Sequence, residues 1–198
     1  GPEKVLGLSL PTSVSNPQDL LDAKELCAGL KMEHRVVPID PMLAAFKTLP
    51  GFTETPYLLG NLMARIRMTT LYYYANRDHR LVCGTSNKSE FLLGYCTKYG
   101  DNAADVQPIV HLYKKDVYEM AQEVGVPEPI LKKKPSAGLW EGQSDEGEIG
   151  LSYAEIDAAL VALEAHNWAA ENTAEEKVLA RVKKNAHKRL AAPNLLGT

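Results

Sequence analysis

The 198-residue sequence has little cysteine and no long apolar run. Its three cysteines, Cys27, Cys83 and Cys96, lie far apart and form no CxxC pair, so neither a disulfide framework nor a zinc site is predicted. We interpret them as reduced thiols, buried as small apolar side chains. No stretch approaches the roughly 20 apolar residues that a membrane-spanning helix requires. A cytoplasmic protein without a membrane segment is therefore predicted.

The sequence also lacks a strong excess of charge of either sign. Lysine and arginine number 22 against 25 aspartate and glutamate residues, a formal charge of −3. This balance disfavours a protein that grips the phosphate backbone of nucleic acid, although a local basic site is compatible with it. With 45% apolar residues, the chain is long enough for one sizeable core, and a single domain spanning 1–198 is predicted.

A strand–helix–strand pattern opens the chain. The apolar residues at 5–10 predict a strand buried on both faces, which Pro11 ends. Asn16 is a good N-cap and Pro17 suits the first helical position, so a helix should follow. A second strand is predicted at 34–39, where an internal proline indicates an edge position. Strands alternating with helices predict an α/β fold with a doubly wound parallel sheet.

Helical and strand patterns continue along the rest of the chain. Apolar spacing predicts a long helix that begins near Leu58 and a third strand at 80–84. Further helices are predicted at 41–49, from about Asn87, at 115–124, at 153–165 and at 175–190. The segment 132–148 changes from basic to acidic, which suits a mobile loop better than core packing.

Ligands of open parallel sheets bind beyond the carboxyl ends of the strands, and this rule selects the segment 84–90. Thr85 could offer a hydroxyl and a backbone N–H to a ligand, and Glu90 could hold Mg²⁺ against phosphates. Alternatively, Thr85 caps the next helix and Glu90 answers the helix dipole. The spacing of these residues leaves both interpretations open.

Other polar residues could bind phosphate. Lys114 could act as a compact positive charge and Ser136 as a hydrogen-bond donor, although without further context each is more often a solvated side chain. The cations of the last predicted helix are explained most simply as a solvated face: Lys183, Lys184, His187, Lys188 and Arg189.

Four segments in the same order carry a family resemblance. They are Asn-Leu-Met-Ala-Arg-Ile-Arg-Met at 61–68, Gly-Thr-Ser-Asn-Lys-Ser-Glu at 84–90, Thr-Lys-Tyr-Gly-Asp at 97–101 and Pro-Ser-Ala-Gly-Leu-Trp at 135–140. Together they closely resemble the ammonia-dependent NAD synthetases, in the short form without a glutaminase domain. The likeness implies an ATP pyrophosphatase with an adenine nucleotide alpha hydrolase-like sheet, usually homodimeric. It also implies ATP-dependent amidation of deamido-NAD through an acyl-adenylate, giving NAD, AMP and pyrophosphate.

The resemblance also implies roles for individual residues. It makes Glu90 a ligand of Mg²⁺. It makes ATP contacts of three residues, Thr85, Lys114 and Ser136, and deamido-NAD contacts of five, Arg65, Lys98, Asp105, His187 and Lys188. Asp105 is in addition a candidate acceptor for a proton of ammonia. Closure of the 132–148 segment would exclude water, which otherwise hydrolyses the adenylate.

The family begins with a strand and a Ser-Gly-Gly-x-Asp-Ser phosphate loop, and neither lies before Val5 in this sequence. In the family's sheet that strand is central, between the strand at 5–10 and the one at 80–84. The 198 residues alone are therefore expected to be catalytically impaired. Two alternatives stay open: a non-catalytic nucleotide-binding or dimerisation fragment, and a related pyrophosphatase that activates a nucleobase or tRNA carbonyl. The charge balance makes a tRNA substrate less attractive.

Overall fold

A parallel strand–helix–strand unit begins the fold. The computed structural model describes residues 1–140 and 142–193. After a short 3-10 helix at Pro2–Lys4, strand β1 spans Leu6–Ser9, helix α1 spans Pro17–Gly29 and strand β2 spans Glu33–Val36. The two strands pair in parallel, with Leu6 opposite Glu33 and Ser9 opposite Val36. The predicted order of elements and the predicted parallel pairing are both confirmed.

Local sequence explains where the first helix starts. The side chain of Asn16 accepts a hydrogen bond from the backbone N–H of Gln18 at 2.9 Å, and Pro17 is the first helical residue. Proline is tolerated there because its missing N–H would have no partner within the helix. The predicted cap of α1 is therefore confirmed.

Eight further helices follow in the described part of the chain. They are α2 Asp40–Phe46, α3 Pro56–Arg77, α4 Lys88–Leu93, α5 Lys114–Glu123, α6 Glu128–Leu131, α7 Asp145–Ile149, α8 Tyr153–Ala165 and α9 Thr173–Lys184. The helix predicted at 175–190 ends earlier than expected, and a 3-10 helix at Ala186–Lys188 follows it. The chain turns there because the Asn185 side chain donates a hydrogen bond to the carbonyl of Leu93, at 2.8 Å.

The prediction of a third strand at 80–84 is wrong in extent. Cys83 forms a single parallel bridge with Val106, supported by a hydrogen bond of 2.8 Å from Gly84 N–H to the carbonyl of Val106. Among the described residues this segment has a backbone partner on one side only, so pairing does not extend into a ladder. β1 likewise pairs only with β2 there, and its residues are half-buried rather than buried on both faces.

Two apolar clusters stabilise the described structure. One surrounds α8 and α9 and includes Leu93, Ile156, Leu160, Leu163 and Val178. The other packs residues that follow β1 and β2 against α3 and includes Leu10, Ile39, Met63 and Ile66, with Leu139 of the 132–148 segment packed against it. The segment 132–148 is mostly non-helical, since α6 ends before it and α7 forms only its last residues.

The cysteines only partly meet expectation. Cys27 is buried, as predicted, but Cys96 is half-buried and Cys83 is exposed. Cys83 loses the cover expected of a buried thiol because its segment pairs on one side only. Among the residues that the structure describes, no helix combines the length and apolar character needed to span a membrane.

Candidate functional site

A cavity of about 810 Å³ lies between the β1 side of the molecule and the end of α9. Its wall includes residues from both sides: Thr85, Tyr95, Gln143, Glu148, Arg181 and Lys188. The wall also includes Leu8 of β1 and Leu10, which follows this strand. It further includes Val82 and Gly84 of the segment 80–84, called here the bridged segment because Cys83 bridges to Val106. The volume falls in the range of sites for small molecules and cofactors.

The segment that carries Thr85 is held close to the neighbouring chain by a glycine. A Cβ atom at Gly84 would lie 2.7 Å from the Cβ of Ala104 and 3.0 Å from Cγ of Gln107, so only glycine fits there without a shift. Thr85 follows on the cavity wall with an exposed side chain. The cap of α4 is Asn87, whose side chain accepts from the N–H of Glu90 at 3.0 Å. The alternative that Thr85 caps this helix is therefore wrong.

Glu90 has two roles within the protein itself. Its Oε2 accepts a hydrogen bond from the N–H of Asn87 at 3.1 Å, which completes a capping box on α4. Its Oε1 lies 2.9 Å from the ammonium of Lys114. The two side chains are only 18% and 17% exposed, and the ammonium also lies 4.8 Å from the ring centroid of Tyr153. The carboxylate and the cation that the resemblance assigns to Mg²⁺ and to ATP thus meet at the start of α4 and α5.

A buried polar network fixes the backbone of Lys114. Asp157 of α8 is 2% exposed, accepts a hydrogen bond from the hydroxyl of Ser89 and also accepts the N–H of Lys115 at 3.0 Å. Ser89, itself fully buried, accepts the N–H of Lys114 at 2.9 Å. Sequence reasoning missed Asp157, because a single acidic residue in an apolar helix carries no local signal of its partners.

Acidic residues of α7 lie close to the Glu90–Lys114 pair. Asp145 is 5% exposed, and its Oδ2 accepts the hydroxyl of Tyr153 at 2.9 Å. Burial raises the pKa of Asp145. Burial first, and then the charges of Glu90 and Asp145, raise the pKa of Tyr153. The tyrosine hydroxyl is therefore a hydrogen-bond donor throughout the neutral range.

Three of the five residues expected to contact deamido-NAD tie the 94–98 region to the C-terminal 3-10 helix. The ammonium of Lys188 donates to the carbonyls of Gly94 at 2.8 Å and Cys96 at 2.7 Å. The ammonium of Lys98 donates to the carbonyl of His187 at 2.7 Å. His187 and Lys188 line the cavity, whereas Lys98 lies just outside its wall.

Arg65 and Asp105 also lie outside the cavity wall as described. The exposed Arg65 donates from Nε to the carbonyl of Lys98 at 3.3 Å. Asp105 accepts the N–H of Val82 at 2.7 Å and the hydroxyl of Tyr72 at 3.4 Å. Both oxygens of Asp105 therefore help to hold the bridged segment in place.

Ser136 shapes the segment that covers the cavity. Its hydroxyl donates to the carbonyl of Gln143 at 2.8 Å and accepts the N–H of Gly138 at 3.1 Å. Leu139 and Trp140 of this segment line the cavity and pack on α3. They approach closely because residue 60 of α3 is glycine: a Cβ there would lie 3.0 Å from Cδ1 of Leu139.

Across 1–140 and 142–193, no group of three or more His, Cys, Asp or Glu side chains is arranged to hold a metal. Mg²⁺ commonly takes only one or two carboxylates together with substrate phosphates and water, so the ligation expected of Glu90 stays a prediction.

Arg181 is a cavity residue that the sequence interpretation left out. Val178 and Val182 of α9 are buried, and Arg181 lies on the same helical face, three residues after the first of them. Because the two valines are four residues apart, they mark the buried face of α9. This pattern could have distinguished Arg181, which lies near that face, from the solvated cations that follow it.

Parallel strands joined by a helix, with a cavity beyond them, are typical of α/β proteins that bind nucleotides. A family profile described as NAD synthase matches residues 1–192. The chain belongs to this NAD synthase family.

Relatives and solved structures agree with this assignment. The NH(3)-dependent NAD(+) synthetase of Methanoregula boonei is 82% identical over 196 residues, covering 99% of this chain and 79% of that protein. A structure described as NMN synthetase from Francisella tularensis has a TM-score of 0.88 at 39% identity, covering 96% of this chain and 78% of that one. The NH3-dependent NAD synthetase from Campylobacter jejuni has a TM-score of 0.82 at 38% identity, covering 98% and 78%. These similarities confirm the predicted α/β fold class.

Proposed function

We propose that this protein is a carbon–nitrogen ligase that amidates deamido-NAD with ammonia, at the expense of ATP, and releases NAD, AMP and pyrophosphate. The observation that carries the proposal is the single cavity that joins Thr85 at one end to His187 and Lys188 at the other. The first of these residues is expected to contact ATP and the other two the dinucleotide. Membership of the NAD synthase family connects this cavity with the amidation reaction.

The reaction needs activation of a poor electrophile. A carboxylate resists attack by ammonia, so its oxygen first attacks the α-phosphorus of ATP, and pyrophosphate leaves. Two anions must approach each other for this step, and the ammonium of Lys114 would offset their charge by binding phosphate oxygens. Mg²⁺ held by Glu90 and ATP oxygens would supply further neutralisation of charge. ATP binding would then exchange the contact between Lys114 and Glu90 for contacts to the ligand.

The second step forms the amide. Ammonia attacks the acyl-adenylate carbonyl, AMP leaves, and a proton passes from nitrogen to an acceptor. Asp105 is the candidate acceptor from the sequence, but both of its oxygens already accept hydrogen bonds. We therefore propose that Asp105 holds the bridged segment in place and contacts the dinucleotide, and we prefer this role to that of proton acceptor. The 132–148 segment, with Ser136 at an ATP phosphate, would keep water from the adenylate.

A second candidate substrate is a mononucleotide. It is favoured by the high structural similarity to the protein described as NMN synthetase. The same chemistry on nicotinic acid mononucleotide would yield NMN, because both substrates carry the same nicotinate carboxylate. The two candidates differ in whether the cavity must also hold an adenylyl group.

The test compares both substrates in the full-length protein with ATP, MgCl₂ and ammonium. AMP release with NAD formation from deamido-NAD, at a higher kcat/KM than NMN formation from nicotinic acid mononucleotide, supports the proposal. The reverse preference would establish the mononucleotide reaction instead. Binding of deamido-NAD without any AMP release would favour a non-catalytic nucleotide-binding role.

We further propose a homodimer in the cytoplasm. Tyr73 of α3 is 62% exposed, and large aromatic side chains are typical of interfaces. Sedimentation equilibrium of the wild type and of a Tyr73→Lys variant tests the assembly, and cell fractionation tests the location. A wild-type mass of a single chain would reject the dimer.

A further inference from the structure

Arg181 is a cation of the cavity wall for which the protein supplies no acidic partner among residues 1–140 and 142–193. Its Nε atom is buried and, in the same part of the chain, meets no hydrogen-bond acceptor. Burying a donor without an acceptor costs on the order of 1–3 kcal/mol, so such groups call for an explanation. Because the residue lines a cavity, a ligand is the natural source of the missing acceptor.

The surroundings hold this guanidinium in place without neutralising it. Its Cζ atom lies 5.9 Å from the ring centroid of Tyr95, within reach of a cation–π contact. The hydroxyl of Tyr95 donates to Glu148 at 3.3 Å, which fixes the ring. The aromatic ring thus supports Arg181 and leaves its positive charge without a carboxylate partner among the described residues.

The neighbouring lysines are engaged differently. The ammonium groups of Lys98 and Lys188 donate to backbone carbonyls of the protein, at 2.7–2.8 Å. Each of them must share its protons with those carbonyls or leave them in order to bind a ligand. Arg181 needs no such exchange, and its planar fork matches the oxygen pairs of phosphate and carboxylate.

We propose that Arg181 binds an oxyanion of the deamidated dinucleotide and so helps to position this substrate. The oxyanion is either a phosphate of the dinucleotide or its nicotinate carboxylate, since both present paired oxygens. The inference rests on the proposed function, because it takes the deamidated dinucleotide as the occupant of the cavity.

The experiment measures binding by calorimetry with the full-length wild type and with Arg181→Gln, Arg181→Lys and Lys183→Gln variants. Deamido-NAD, NAD and ATP are the three ligands. Lys183 is the matched control, because it lies on the same helix, is exposed and is outside the cavity wall.

Arg181→Gln should weaken deamido-NAD binding by about 10- to 100-fold, the range for loss of a charged hydrogen bond. Arg181→Lys should show a smaller loss, and it also serves if the glutamine variant does not fold.

The ligands separate the possible sources of the oxyanion. A loss for deamido-NAD alone identifies the carboxylate, and an equal loss for NAD identifies the phosphates. Unchanged affinity for deamido-NAD in both Arg181 variants, a loss no larger than that of Lys183→Gln, or a loss confined to ATP would overturn the inference. If the wild type binds no deamido-NAD at all, the proposed function itself fails, which is a distinguishable result.

Discussion

The ammonium of Lys114 lies 2.9 Å from a carboxylate oxygen of Glu90, although the two residues are 24 positions apart. One was expected to bind ATP phosphate and the other Mg²⁺. Their contact means that each neutralises the other when no nucleotide is bound. If ATP and Mg²⁺ bind here as proposed, they would replace both halves of the pair at once, the phosphates taking the place of Glu90 and the metal that of Lys114.

Replacing Glu90 by Gln should lower Mg²⁺-dependent AMP formation at least about 10-fold, because the metal loses its only expected carboxylate from the described residues. The free energy of unfolding should fall by about 1–3 kcal/mol, because the largely buried ammonium of Lys114 loses its charged acceptor. AMP formation and urea unfolding measure the two effects.

The ion pair of Lys88 with Glu164, at 2.7 Å, provides the control for Glu90→Gln. Lys88→Met should leave AMP formation within about twofold of the wild type, since surface pairs contribute little. AMP formation that is unchanged in Glu90→Gln would remove Glu90 from the metal site.

Gly60→Val should displace the segment that covers the cavity. The added side chain begins 3.0 Å from Cδ1 of Leu139 and 3.4 Å from the ring of Trp140, so both must move away. We expect faster proteolysis within 132–148 and a red shift of the Trp140 emission. Gly29→Val in α1 is the control, because nothing lies within 4 Å of its added Cβ. Equal proteolysis of the two variants would show that the contact on α3 does not hold the segment.

Elements with local signals were predictable from the sequence. The cap at Asn16 and the bounds of α8 follow from residues within a few positions of one another, and the structure agrees. The capping role of Asn87 and Glu90 was not foreseen in full, because Thr85 offered a competing hydroxyl nearby. The local sequence therefore predicts the helix, but it does not decide whether Thr85 or Asn87 caps it.

Features that depend on distant partners were not predictable. The segment 80–84 has the composition of a strand, yet its pairing depends on which chain lies beside it, and the structure provides one neighbour, at Val106. The early end of α9 depends on the bond from Asn185 to Leu93, far away in sequence. The ion pair of Glu90 with Lys114 is of the same kind: the resemblance named both residues but gave no sign of their contact.

Lys133→Met should loosen the start of the 132–148 segment from α1. The ammonium of Lys133 forms ion pairs with Asp19, at 2.5 Å, and with Asp22. The hydrogen bond from Lys133, and then that from Gln18, lower the pKa of Asp22. A carboxyl whose pKa is lower in the folded than in the unfolded state stabilises the fold at pH values above its unfolded-state pKa. It loses that contribution as the pH falls through its folded-state pKa. The wild type should therefore be more stable than the variant at pH 6, and the difference should shrink below about pH 4.

Urea unfolding of both proteins between pH 6 and pH 3 measures that difference. Lys132→Met is the control, because Lys132 pairs with Glu128 on the exposed surface. A difference between wild type and Lys133→Met that stays constant down to pH 3 would contradict the role given to Asp22.

The cysteines should differ in reactivity. Burial, assisted by the charge of Asp101, raises the pKa of Cys96 to about 11, so its thiolate is scarce at pH 8. Cys83 is exposed on the cavity wall and Cys27 is buried. A disulfide reagent at pH 8 should therefore modify Cys83 first, and ATP or deamido-NAD should slow the reaction. Peptide mass mapping identifies the site, with Cys83→Ser as control; first labelling at Cys96 would contradict the assignment.

Asp157→Asn should impair both stability and ATP binding, although Asp157 is outside the cavity wall as described. The carboxylate accepts from the Ser89 hydroxyl and from the N–H of Lys115, and an amide must point one N–H group at a donor. Loss of a buried charged hydrogen bond should lower the free energy of unfolding by about 1.5–3 kcal/mol. The start of α5 would shift with it, so the affinity for ATP should fall through Lys114.

The control for Asp157→Asn is Glu164→Gln on the same helix, which is more exposed and should cost about 1 kcal/mol or less. A double-mutant cycle with Ser89→Ala should show coupling of about 0.5–3 kcal/mol, because the two side chains share one network. Denaturant unfolding gives the stabilities, and calorimetry gives the ATP affinities. If Asp157→Asn and Glu164→Gln lose stability equally and bind ATP like the wild type, then the buried network does not position Lys114.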